Sequence, residues 1–124
     1  MHGAWHGGWC WRHVADRLRA AGQRVLAPTC TGLGERAHLL SPTVGLATLV
    51  EDILGVLEAE ELEDVVLVGH SFGGAPVTGV ADRAPGRVRH LVYLDAVVLE
   101  DGRSALDLVP PELAATRVRA ARSA

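Results

Sequence analysis

The stretch Val65-Val66-Leu67-Val68-Gly69-His70-Ser71-Phe72-Gly73-Gly74 decides the fold of this chain. Its first four residues form a continuous, β-branched apolar run, which is typical of a strand buried on both faces. The glycines that follow indicate a sharp turn, and residues 72–84 can form a helix that Pro85-Gly86 would end. The stretch therefore predicts a strand, a tight turn and a helix in immediate succession.

The serine at the centre of this turn is the candidate nucleophile. Gly69, Ser71 and Gly73 give the pattern Gly-x-Ser-x-Gly, with His70 and Phe72 at the variable positions. Small flanking residues permit a strained turn that leaves the serine oxygen exposed above the sheet. The first turn of the following helix offers unpaired N–H groups and a positive dipole end, which favour developing negative charge. We therefore expect Ser71 to carry the chemistry.

Strands and helices alternate on both sides of this turn, which is the α/β pattern. Further strands are predicted at residues 24–27 and 91–94, and further helices at residues 11–21, 46–57 and from Pro111 to about residue 122. Right-handed crossovers would make the strands parallel, with helices on both faces in a three-layer α/β/α arrangement. Such a sheet binds its ligand at the carboxyl ends of the strands.

The composition of the chain excludes several classes of protein. Its 124 residues allow one domain, and 48% hydrophobic with 22% charged residues are inconsistent with a disordered chain. All 12 basic residues are Arg, so a phosphate-binding loop with its lysine is excluded. The net charge of −3 argues against nucleic-acid binding, and no apolar run suggests a membrane span. Two cysteines make no disulfide framework, which predicts a cytoplasmic location.

The first residues of the chain predict a second part of the site. A His-Gly pair, His2-Gly3, precedes a Gly-rich loop that leads into a helix. In serine hydrolases such a loop donates the second N–H group of the oxyanion hole. Trp5 and His6 lie within this loop and are candidates for the lining of a pocket. His2 and His6 have a spacing of four residues, but a loop lacks the helical geometry of a metal site, so no metal is expected.

Four separated motifs, in this order, resemble one branch of the α/β-hydrolase fold family. The branch holds plant methyl-ester esterases, hydroxynitrile lyases and their bacterial relatives. The resemblance extends from His2 to about Glu112, and its motifs are His2 to Trp11, Thr31-Gly32-Leu33-Gly34-Glu35-Arg36, the serine turn, and Tyr93-Leu94-Asp95-Ala96.

The resemblance implies a fold, a chemistry and a set of site residues. The fold is a partial α/β-hydrolase fold with a parallel sheet of about three to four strands. Residues 1–124 would form a single incomplete domain, with core strands and serine turn to about residue 98 and the start of a cap region at 99–124. Ser71 would attack small carboxylic esters, and the backbone N–H groups of Ala4 and Phe72 would form the oxyanion hole. No cofactor is implied.

The acid and the histidine of a catalytic triad are expected to be missing from this chain. In the family they follow the serine in the order acid, then histidine, and the histidine comes near the end of a longer chain. Asp95 is a candidate acid because it follows a predicted strand, whereas His90 would lie at the opposite edge of the sheet. We expect slow turnover of activated esters, and self-association through open sheet edges.

Three alternatives follow from the same residues. The chain could be a noncatalytic truncated fragment, or part of a hydroxynitrile-lyase-type enzyme on the same scaffold. It could also bind a dinucleotide, because Gly32, Gly34 and Ala37 fit a relaxed Gly-x-Gly-x-x-Ala pattern. Pro42 interrupts any helix after that pattern, which argues against a seat for the pyrophosphate.

Overall fold

The sheet at the centre of the fold consists of two parallel strands, β1 (Val65–His70) and β2 (Val88–Leu94). The computed structural model describes residues 1–122. Among these described residues, four α-helices accompany the sheet: α1 (Arg12–Ala20), α2 (Leu46–Ala59), α3 (Gly74–Arg83) and α4 (Pro111–Arg122). Short 3₁₀ helices lie at Gly8–Trp11, Gly34–Leu39, Ser71–Gly73 and Ala105–Leu108.

Met1 extends the sheet beyond β1. Its terminal ammonium donates to the carbonyl of Val68, and its own carbonyl accepts from His70 N at 3.1 Å. This pair of bonds is the pattern of a parallel ladder, so Met1 lies opposite Gly69 on the edge of β1 that β2 leaves free. The backbone that follows Met1 therefore leaves the sheet at the same end as the turn after β1.

Helices α2 and α3 build the core against one face of the sheet. The buried residues of this core are Leu49, Val50, Ile53 and Leu57 of α2, Val77 and Val80 of α3, Leu67 of β1, and Cys30. Burying one such aliphatic side chain contributes about 1.5–3 kcal/mol. The core thereby fixes α3, and with it the start of the helix that follows Ser71.

The other face of the sheet is more open. Val66, Val92 and Leu94 point away from the core and remain 53%, 40% and 50% exposed. The expected α/β class, with a parallel sheet flanked by helices, is confirmed. Among residues 1–122, however, α2 and α3 cover only one face of the sheet. On the opposite face, the ring of Trp11 contacts that of His70 near the end of β1.

The predicted strand at residues 24–27 is wrong, and so is the expected number of strands. These residues have no regular structure, and the described chain contains two strands rather than three to four. A strand exists only through a ladder with a neighbour, and no backbone–backbone bond among the described residues involves residues 24–27. The carbonyl of Val25 accepts instead from the guanidinium of Arg19 at 2.8 Å.

The remaining elements agree with the sequence to within a few residues. β1 and β2 are longer than predicted, and 3₁₀ turns take the first residues of the helices predicted from 11 and from 72. The helix after Pro110 is confirmed as α4. Within residues 1–122, no helix combines the length and hydropathy that crossing a membrane requires.

Candidate active site at the carboxyl ends of the strands

The turn after β1 has the tight geometry that its glycines predict. Ser71 follows β1 directly with φ +53°, a left-handed conformation that L-residues rarely adopt. A Cβ added at Gly69 would lie 2.6 Å from Val77 Cγ2 and 2.7 Å from the carbonyl oxygen of Gly73. A Cβ at Gly73 would lie 2.7 Å from the carbonyl oxygen of His2. Glycine is therefore required on both sides of the serine.

Two other segments pass beside Ser71. A Cβ built at Gly3 would lie 3.2 Å from the Cβ of Ser71, so the loop after Met1 runs over the serine. Val97 N donates to the carbonyl of Ser71 at 2.8 Å, which brings the chain after β2 to the same place. Three carboxyl ends of extended segments thus meet at one serine, as expected for a ligand site of a parallel sheet.

The two predicted oxyanion donors, the N–H groups of Ala4 and Phe72, directly follow Gly3 and Ser71, the two residues that meet at the serine turn. Ala4 follows Gly3, and its N–H donates to no acceptor among the described residues. Phe72 is the second residue of the 3₁₀ turn, where N–H groups have no partner within the helix. Unpaired N–H groups beside a serine can stabilise a developing oxyanion.

A buried histidine fixes the start of the loop that carries Ala4. His2 is fully buried; its Nδ1–H donates to the carbonyl of Gly3 at 2.9 Å, and its Nε2 accepts from Cys30 N at 3.2 Å. Burial lowers the pKa of His2, which is the expected direction for a base whose charged form loses water. The neutral ring with its proton on Nδ1 satisfies both bonds at once.

Thr29 fixes the end of the same loop. Its hydroxyl oxygen accepts from Gly8 N at 2.6 Å, and both residues are buried. A hydrogen bond from the same hydroxyl to Glu35 lowers the pKa of that carboxyl. A loop held at both ends keeps the N–H of Ala4 close to the serine.

Asp52 of α2 binds Thr31, two residues after Thr29. One carboxylate oxygen accepts from Thr31 N at 2.6 Å and the other from Thr31 Oγ1 at 2.9 Å. Arg36 lies 3.4 Å from the same carboxylate and donates to the carbonyl of Thr29 at 3.0 Å. Residues 29–31, here called the anchor segment, therefore connect the loop over Ser71 with helix α2. The sequence analysis did not identify this role, since Asp52 belongs to none of its motifs.

Two other predicted residues of the loop point to solvent. Trp5 has φ +60° and is 86% exposed. His6 is exposed as well; its Nδ1–H donates to the carbonyl of Ala4 at 2.8 Å, and its ring lies 5.5 Å from that of Trp9. His70, within the turn, places its ring edge-on to that of Trp11, with 6.3 Å between the ring centroids.

The described residues do not assemble a catalytic triad. Asp95 lies at the carboxyl end of β2, as predicted, but it is exposed and makes no hydrogen bond or ion pair with any described residue. His90 pairs with Val66, and about five residues of extended chain, roughly 16 Å, separate that level of the sheet from Ser71. No described histidine bonds to the hydroxyl of Ser71.

An apolar cavity of about 210 Å³ lies beside the serine turn. We call it the Phe72 pocket; its lining residues are Thr31, Leu33, Leu40, Val44, Gly45, Leu46, Leu49 and Phe72. Trp5 and His6, the candidates for the lining of a pocket, do not line this cavity. The leucines and valines after residue 31 are the sequence feature that could have indicated the other lining residues. That they lie around one cavity is a result of the tertiary structure.

A larger cleft of about 620 Å³ lies between residues 25–28 and α2. No residue of the serine turn lines it, so it has no connection with the nucleophile. Residues Gly34–Leu39, which overlap the dinucleotide pattern of Gly32, Gly34 and Ala37, form a 3₁₀ turn rather than the helix that would bind a pyrophosphate. Among residues 1–122, no three potential metal ligands converge.

Comparison with protein families and sequences gives consistent matches. The model of the alpha/beta hydrolase family matches residues 1–124. A carbendazim hydrolyzing esterase from Nocardioides sp. (strain SG-4G) is 59% identical over 113 residues, which are 91% of this chain and 47% of that protein. Methylesterase 10 of Arabidopsis thaliana is 35% identical over 97 residues, or 77% of this chain and 35% of that protein. The chain spans half the length or less of these relatives.

Solved structures show the same partial coverage. An extracellular alpha/beta-hydrolase from a Paenibacillus species superposes with a TM-score of 0.88 at 29% identity, covering 99% of this chain and 50% of that one. A pyrethroid hydrolase gives a TM-score of 0.76 at 32% identity, covering 90% of this chain and 44% of that one. The fold described above is thus similar to about half of each of these structures.

Proposed function

Since the chain belongs to the alpha/beta hydrolase family, we propose that it carries the nucleophile and the oxyanion hole of an enzyme that hydrolyses small carboxylic esters. The observation that carries this proposal is the meeting of Ser71, in its strained turn, with the loop whose Ala4 N–H is unpaired. Strain at a single non-glycine residue persists only when the surrounding structure holds it, and such residues cluster at active sites.

The chemistry follows from this arrangement. The oxygen of Ser71 attacks the carbonyl carbon of the ester, and the carbonyl oxygen becomes an oxyanion between the N–H groups of Ala4 and Phe72. Collapse of this intermediate breaks the bond to the alkoxide, which leaves as the alcohol with the proton that the serine gives up; water then releases the acyl group from Ser71 as the carboxylic acid. The two donors belong to fixed backbone, so they need no reorganisation as charge develops.

We propose that the general base and its acid are not among residues 1–124. Two observations support this: no described histidine bonds to Ser71, and the relatives named above are about twice as long or longer. Without a base, the oxyanion hole and binding alone can retain about 10³–10⁴-fold acceleration over water. The chain by itself should therefore react only with activated esters, and this reaction should be slow.

Covalent labelling of the 124-residue chain tests the proposal. A fluorophosphonate probe, followed by intact mass and peptide mapping, should add one group to Ser71. The Ser71→Ala variant should lose the label, whereas Ser41→Ala, which changes an exposed serine outside the turn, should keep it. Absence of label in the parent chain, or equal labelling of Ser71→Ala, would contradict the proposal and favour a noncatalytic fragment.

The choice of substrate starts from the relatives. One relative is named for hydrolysing carbendazim, and others are methylesterases. Carbendazim and simple methyl esters are therefore the first substrates to compare, with a cyanohydrin as the test of lyase activity. Release of acid and alcohol supports the esterase, and release of cyanide with a carbonyl compound would instead support the lyase alternative.

A further inference from the structure

We propose that the Phe72 pocket binds the acyl group of the ester and selects uncharged groups of one ring or about four to six carbons. The inference rests on the proposed function of Ser71, whose specificity it describes. Its basis is the connection of the pocket with the nucleophile, the chemistry of the wall and the size of the cavity.

Phe72 connects the pocket with the reaction. Phe72 lines the cavity, its backbone N–H is a proposed oxyanion donor, and it follows Ser71 directly. A substituent of the carbonyl carbon in this pocket would therefore lie one residue from the nucleophile. The acyl substituent is the one that remains on Ser71 after the alcohol leaves, so this pocket would hold it through both steps.

The wall of the pocket offers no free polar side chain. All lining residues except Thr31 are apolar or glycine. The hydroxyl of Thr31 donates to Asp52 Oδ1 at 2.9 Å, so its hydrogen is already used. A charged or hydroxylated acyl group would lose its water here without gaining a partner, which is costly. A hydrocarbon group gains by leaving water.

The size and shape of the cavity limit the group further. An apolar cavity of about 150 Å³ can bind benzene, so the 210 Å³ of the Phe72 pocket admits one ring or a short branched chain. Leu49 is 5% exposed and closes the pocket towards the core, whereas Leu40 and Leu46 are 67% and 45% exposed at its rim. The pocket thus has a buried apolar wall towards the core, which limits the length of the group it can hold.

Acylation of Ser71 by a series of p-nitrophenyl esters tests the preference. The series runs from acetate through butanoate and hexanoate to decanoate, with benzoate as the ring, and each rate is divided by the ester's rate of hydrolysis in buffer. A buried methylene should raise the rate about fourfold, so butanoate should exceed acetate about 15-fold. Decanoate should show no further gain over hexanoate. Equal normalised rates along the series would overturn the inference.

Filling the pocket should remove this preference. Gly45 lines the pocket with an extended backbone (φ −140°), and a Cβ added there would meet no atom within 4 Å. Gly45→Leu should reduce the butanoate-to-acetate ratio from about 15-fold to about twofold. Gly55→Ala is the matched control, because its Cβ also meets no atom and it lines the other cleft. An unchanged ratio in Gly45→Leu would contradict the assignment.

A binding measurement separates this inference from the proposed function. Methyl benzoate is titrated into Ser71→Ala, which cannot be acylated at that position, and methyl NMR signals of Leu33 and Leu49 are followed. Shifts in Ser71→Ala that Gly45→Leu abolishes support the pocket even if the parent chain is never acylated, and failure of acylation then counts against the proposed function alone. Absence of shifts in Ser71→Ala, or shifts that Gly45→Leu leaves unchanged, would overturn the pocket inference.

Discussion

Replacement of Thr29 by Val should destabilise the chain by about 1–3 kcal/mol. The two side chains have nearly the same volume, so no cavity forms. The hydroxyl oxygen that accepts from Gly8 N at 2.6 Å is lost, however, and this N–H is buried. A buried donor left without a partner costs about 1–3 kcal/mol. For a chain of 124 residues this corresponds to a fall in Tm of roughly 4–12 °C.

The experiment compares thermal and urea unfolding of the parent chain, Thr29→Val and Thr29→Ser, followed by circular dichroism. Serine keeps the hydroxyl and loses only one methyl group, worth about 0.8 kcal/mol. That methyl packs near Gly34, since a Cβ built there would lie 3.2 Å from Thr29 Cγ2. A Thr29→Val protein as stable as the parent, or a Thr29→Ser protein that loses as much as Thr29→Val, would refute the reasoning.

The same variant should also slow the labelling of Ser71. The bond from Gly8 fixes one end of the loop that carries Ala4, and the proposed oxyanion hole needs that loop in place. We expect Thr29→Val to react more slowly with the fluorophosphonate probe at a temperature where it is still folded, and Thr29→Ser to react at nearly the parent rate. Equal labelling rates of Thr29→Val and the parent chain would contradict this prediction and show that the bond from Gly8 does not affect the reactivity of Ser71.

Three other predictions concern the turn, the buried histidine and the sheet edge. Gly69→Ala should prevent stable folding or lower the free energy of unfolding in urea by several kcal/mol, because its Cβ would contact Val77 and the backbone. Gly86→Ala is the control and should be nearly neutral, because its Cβ would have no atom within 4 Å. Burial lowers the pKa of His2 from 6.5, so its contribution to stability is complete above pH 6.5 and is lost as the pH falls below it; His2→Gln should show a smaller loss between pH 7 and pH 5. The outer edge of β2 has no partner among residues 1–122, so the chain should self-associate, and a monomer in light scattering that melts cooperatively would contradict this.

The local part of the site could be predicted from the sequence. The apolar run of β1, the glycines around Ser71 and the helix after them act through neighbouring residues, so their geometry is determined within a few positions of the chain. The order of the motifs also carried the resemblance to the α/β-hydrolase fold family, and the family match over residues 1–124 agrees with it. Asp95 was likewise predicted at the end of a strand, which β2 confirms.

The prediction of residues 24–27 as a strand failed for a physical reason. Their composition suits a strand, but a strand is stabilised by ladder bonds to a neighbour, and no described residue provides them. Local propensity cannot report whether a partner is present. The same reason limits the sheet to two strands with Met1 at its edge.

The sequence by itself determined the nucleophile candidate, its strained turn and the α/β class, because these depend on local backbone geometry and on apolar runs. Only the tertiary structure decided that His2 is buried and holds Cys30, that the anchor segment connects the loop over Ser71 with Asp52 of α2, and that Phe72 lines an apolar pocket. These features join residues that are 20 or more positions apart in the chain. Their hydrogen bonds and burial arise only when the core brings distant segments together.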